Sequence, residues 1–64
     1  MNPDSNQYCL YFSRGILGTA YMNGTLIFNA NGTNRSKIIR HGMAKVRVKY
    51  PDQLIIFDSL ELVK

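Results

Sequence analysis

The sequence predicts an all-β domain, a small barrel of five to six short antiparallel strands. Three observations predict it. Two-residue alternation of apolar and polar side chains recurs along the chain, and no stretch keeps a helical period for three turns. Turn signals, the Asn-Gly pairs at Asn23-Gly24 and Asn31-Gly32 and the Pro-Asp pair at Pro51-Asp52, fall where short strands would need to reverse. The chain has only 64 residues, 45% hydrophobic and 19% charged, which is one domain spanning 1–64 and too apolar for a disordered tail. A two-domain enzyme and a deep cofactor cleft are excluded by size.

The elements follow in order. Residues 1–6 read as an N-terminal tail. Gln7 to Phe12 forms a first strand, apolar on both faces, that ends at Ser13-Arg14-Gly15. Ile16 to Met22 is a second strand, and Asn23-Gly24 closes a hairpin onto Thr25 to Ala30, because both central residues of a type I′ turn need positive φ. Asn31-Gly32 turns the chain again. Ser36 to Arg40 is a short strand and His41-Gly42 a tight turn. Met43 to Tyr50 shows the clearest alternation: Ala44, Val46, Val48 and Tyr50 share one face, and Met43, Lys45, Arg47 and Lys49 share the other. Pro51-Asp52-Gln53 is a turn, with Pro presetting φ. Leu54 to Phe57 is a buried strand, Asp58-Ser59-Leu60 one helical turn, and Glu61 to Lys64 a closing strand.

The segment Gly42-Met43-Ala44-Lys45-Val46-Arg47-Val48-Lys49-Tyr50-Pro51-Asp52, with Leu54 to Phe57 and Ser59-Leu60-Glu61-Leu62-Val63, resembles the second half of SH3-like barrels of the Tudor and KOW type. Those domains show a Gly, an alternating strand, a Pro-Asp turn, a strand, a short helical turn and a closing strand. The resemblance covers about the last third of the chain and departs at Gln53, where such turns prefer Gly. An Sm-like ring subunit fits nearly as well. The resemblance implies recognition of nucleic acid or protein rather than catalysis.

Charge points the same way. Eight Lys and Arg stand against four Asp and Glu, a net charge of +4. From Ser5 to Pro51 there is no acidic residue, while Arg14, Arg35, Lys37, Arg40, Lys45, Arg47 and Lys49 are all cationic. A one-signed field over most of a small domain attracts polyanions. On a strand, Lys45, Arg47 and Lys49 make a basic ridge at two-residue intervals, which Arg35, Lys37 and Arg40 extend on the strand before it. These six are the expected nucleic-acid contacts, to DNA or RNA, mainly electrostatic and weakly sequence-specific. The same ridge would equally protect an exposed edge strand from aggregation. Tyr8, Tyr11, Tyr21 and Tyr50 would stack on bases where they reach the surface, and fill core or interface where they do not.

A second reading is a protein-binding inhibitor or adaptor, of the kind phages encode against host proteins. It would use Tyr8, Tyr11 and Phe12 as an interface, since Tyr suits interfaces. A homo-oligomer would use the same strand, and an oligomer could also hold a small anionic nucleotide. Catalysis finds little: His41 and Cys9 are the only residues of their types, too few for a metal site. No cofactor is expected, and Cys9, among aromatic and aliphatic neighbours, reads as a small buried hydrophobe. The N-terminus lacks a signal-peptide pattern, and no apolar run is long enough to span a membrane, so a cytoplasmic setting is expected.

Overall fold

The computed structural model describes residues 5–32 and 34–63. The chain runs β1 (Ser5–Gly15), β2 (Met22–Asn31), α1 (Arg35–Lys49) and β3 (Leu54–Leu62). The strands form one open antiparallel sheet in the order β2-β1-β3, and α1 covers one of its faces. The expected barrel of five to six strands, SH3-like or Sm-like, does not form, and the domain is mixed α and β rather than all-β. Ser5 and Asn6, expected in a tail, belong to β1, and residues 1–4 lie outside the described residues.

β1 is the middle strand because its apolar side chains serve both neighbours. On the helix side, Tyr8, Leu10 and Phe12 face Phe28, Leu26 and Gly24 of β2 and Leu62, Leu60 and Phe57 of β3. The core joins Tyr8, Leu10, Phe12, Phe28 and Leu60 to Ile38, Met43 and Val46 of α1. Leu10 and Val46 are its most enclosed side chains. The opposite face, with Tyr11, Ser13, Thr25, Ile27, Ser59 and Glu61, has nothing packed on it among the described residues.

Several turn signals resolve differently from their sequence reading. Asn23 and Gly24 lie inside β2, not at a hairpin. A Cβ on Gly24 would stand 2.7 Å from Cζ of Phe12, so this glycine leaves room for the ring across the strand pair. The β1–β2 reversal occurs instead at Ile16 to Tyr21, within the segment expected as a second strand. There the Thr19 N–H donates to the Ile16 carbonyl at 3.0 Å, and Gly18 takes φ +91°, as the third position of a type II turn requires. Gly32, at φ +85°, turns the chain out of β2 as expected, though into a helix. The Pro51 turn stands, with the Gln53 N–H donating to the Tyr50 carbonyl at 3.3 Å. Asp58-Ser59-Leu60 is no helical turn. It continues β3, which carries a bulge where Tyr11 pairs with Ser59 and Phe12 with Phe57. The closing strand expected from Glu61 is therefore the end of β3.

The largest correction concerns residues 35–49. The two strands and the His41-Gly42 turn expected there are a single helix. Its buried residues, Ile38, Gly42, Met43 and Val46, recur at the three-to-four-residue spacing of a helix face. Asn34 caps it by accepting the Lys37 N–H at 3.2 Å on its side-chain oxygen. At the other end the Tyr50 N–H donates to the Val46 carbonyl, and Pro51, lacking an N–H, stops the helix. The strand reading paired Val46 with Val48 on one buried wall. In the helix Val46 is 1% exposed and Val48 is 82% exposed. Among the described residues no helix is long and apolar enough to cross a membrane.

A basic helix as the candidate nucleic-acid interface

Six of the expected contacts, Arg35, Lys37, Arg40, Lys45, Arg47 and Lys49, come from one element, and all are exposed. The ridge is helical rather than β. Lys37, Arg40, Ala44 and Arg47 follow one another at steps of three, four and three residues, directly opposite the buried stripe. Lys45 lies about 80° round the helix from Lys37, and Lys49 projects from the last turn on the side of the buried stripe, its Nζ 5.7 Å from the Tyr50 ring centroid. No Asp or Glu occurs anywhere in α1. Fifteen residues at 1.5 Å each make the basic surface about 22 Å long.

The helix tolerates this charge at a local cost. Arg47 and Lys49 sit in the last turn, where the macrodipole favours cations. The first turn holds no acidic residue and instead carries Arg35 and Lys37, where a cation opposes the dipole. Stability alone would place Asp or Glu there. The seventh cation of the acid-free window, Arg14, is elsewhere. Its guanidinium lies 4.4 Å from the Tyr50 ring centroid and its Nη1 donates to Gln53 at 3.1 Å, so it pins the end of β1 to the turn after α1.

Asp58 and Glu61 lie on the other side of the sheet, while Asp52 sits in the turn after α1. Ser13 Oγ donates to Asp58 at 2.8 Å, and the Tyr11 hydroxyl donates to Glu61 at 2.9 Å. That acceptor, with the Cys9 thiol nearby, pushes the Tyr11 phenol up from 10.0 to about 12. The charge is thus divided, with cations along α1 and two carboxylates, Asp58 and Glu61, on the open sheet face.

The aromatic side chains are not where base stacking on the helix would need them. Tyr8 and Phe12 fill the core, and Tyr50 packs against Phe12 with centroids 6.2 Å apart. Tyr21 lies at the far end of the β1–β2 hairpin, against Gly15. Of the three residues expected at a protein interface, only Tyr11 stands on the open face, and Tyr8 and Phe12 are buried beneath α1. Cys9 is a free, buried thiol. His41, which the sequence placed in a turn, is exposed on α1, its ring 5.8 Å from that of Phe28. A groove of about 490 Å³ opens there, between the first half of α1 and the end of β2, lined by Asn29, Ala30, Asn31, Lys37, Ile38 and His41. Among the described residues no three His, Cys, Asp or Glu side chains are grouped to hold a metal ion.

No protein-family model, curated protein or solved structure matches the chain.

Proposed function

We propose that this chain is a small, non-catalytic nucleic-acid-binding protein whose contact surface is the exposed arc of α1. The observation that carries the reading is the concentration of six cations and no acidic residue on one solvent-facing helix. Such a surface neutralises backbone phosphates, and Arg40 and Arg47 can each grip one bidentately. Duplex DNA is the favoured form. A helix fits the B-form major groove, whereas the A-form groove is too deep and narrow to admit one. Single strands usually require exposed aromatic platforms, and the aromatic rings beside α1 are engaged in packing.

Fluorescence anisotropy with duplex DNA, single-stranded DNA and RNA at two salt concentrations tests the reading. If Lys37, Arg40, Lys45, Arg47 and Lys49 each neutralise one phosphate, the log–log salt slope on duplex DNA is about −4 to −5, from roughly −0.9 per contact. Replacing Lys37, Arg40 and Arg47 together by Gln reduces the slope by about 3 at an unchanged circular dichroism spectrum. Equal affinity of this variant and the parent protein would overturn the assignment of α1.

A further inference from the structure

The two edges of the sheet are protected unequally. β3 carries Asp58 and Glu61 and a bulge against β1, devices that discourage a further strand from pairing. β2, the opposite edge, reads Met22-Asn23-Gly24-Thr25-Leu26-Ile27-Phe28-Asn29-Ala30-Asn31: ten residues without a charge or a proline. Its register with β1 is unbroken from Ser5↔Asn31 to Arg14↔Met22, so its backbone is regular along the whole edge. Alternate N–H and C=O groups on its outer side have no neighbouring strand among the described residues. α1 packs on the sheet face and leaves an open groove beside the end of β2.

We infer that two copies of this chain associate through β2, antiparallel about a two-fold axis perpendicular to the sheet. The product is a six-stranded sheet in the order β3-β1-β2-β2-β1-β3. An axis at Ile27 sets that side chain, 58% exposed in the single chain, against its own copy on the open face. The same register sets half-buried Leu26 opposite Phe28 of the second copy, extending the core across the boundary. A charge-free strand is self-complementary, as a two-fold interface must be. A domain this small gains from the added burial, because alone it covers only about 60% of its unfolded surface.

The geometry also accommodates the charge. A perpendicular two-fold axis keeps both helices on the same face. The two middle strands lie three strand spacings apart, about 14 Å. Helices roughly 10 Å across fit side by side at that distance. Lys37, beside the end of β2, faces the second copy, so the pairing strengthens as salt screens the two helices. Two basic helices would then form one surface continuous with that described above. The pairing itself rests on β2 alone and not on the proposed ligand.

Sedimentation velocity without nucleic acid, over a wide concentration range, is the first test. The parent protein is expected at twice the 7.3 kDa chain mass, and Ile27→Lys at the single-chain mass with an unchanged circular dichroism spectrum. Oxidative cross-linking does not depend on the folding of a charged variant. Because Cys9 faces position 27 across the β1–β2 pair, the cross-linking is run with Cys9→Ala throughout. Ile27→Cys is then expected to be trapped as a covalent dimer, while Cys9→Ala alone and Ile56→Cys, on the far edge, remain single chains. A parent protein at single-chain mass throughout would overturn the pairing, as would an Ile27→Lys dimer or equal trapping of the two cysteine variants. None of these outcomes bears on whether α1 binds nucleic acid.

Discussion

Tyr11 shows how one side chain can couple the sheet to pH. Its hydroxyl donates to Glu61 across the β1–β3 pair, and that bond holds the proton on the phenol. The folded-state pKa of about 12 lies above the ordinary 10.0. A raised value means that folding favours the protonated form. The contribution is therefore complete below pH 10 and is lost as pH rises towards 12. An ultraviolet absorbance titration should show one of the four tyrosines ionising late. Glu61→Gln should bring that step back towards 10, and a titration unchanged by the substitution would remove Glu61 as the cause. The pair was not legible in sequence, because Tyr11 and Glu61 are fifty positions apart and meet only through the register of two strands.

At the scale of the element, α1 turns on Gly42. In sequence His41-Gly42 looks like a turn, yet this glycine sits mid-helix on the buried face. A Cβ there would stand 2.8 Å from Cε1 and Cζ of Phe28 and 3.1 Å from Cδ2 of Leu10. Gly42 is what lets the helix approach the sheet. Gly42→Ala improves helix propensity by about 1 kcal/mol, but overpacking against a buried ring costs about 1–3 kcal/mol. The net expectation is a loss of about 1 kcal/mol, read from urea denaturation. A more stable variant would mean that Phe28 has room to move. The alternation from Met43 to Tyr50 misled for a related reason. Val46 and Val48 are equally apolar, and only the spacing from Ile38 through Gly42 and Met43 to Val46 shows which one is inside. Counting Gly42 as a turn residue hid that stripe.

For the whole molecule, stability is small and concentrated. At 0.05–0.15 kcal/mol per residue, a chain of 64 residues holds roughly 3–10 kcal/mol. Leu10 is fully enclosed at the centre of the middle strand, between sheet and helix. Leu10→Ala should cost about 2–5 kcal/mol, a large share of that total. Thermal unfolding followed by circular dichroism should then begin near room temperature, and a loss below about 1 kcal/mol would show that the core can collapse around the gap.

Local chemistry alone decided the basic character of residues 35–49, the β1 strand, the turns at Gly32 and Pro51, and most of β2 and β3. Each depends on side-chain type, on the φ that glycine or proline permits, or on alternation within a few residues. Tertiary structure decided that the cations lie on a helix, that Gly24 and Gly42 make room for Phe12 and Phe28, and that Tyr8 and Phe12 are core. It also decided that a three-stranded sheet stays open rather than closing into a barrel. The physical reason is that a short apolar alternating segment satisfies its backbone equally well as strand or helix. The choice falls to whichever arrangement buries Ile38, Met43 and Val46 against Leu10, and that burial exists only once β1 and its neighbours are in place.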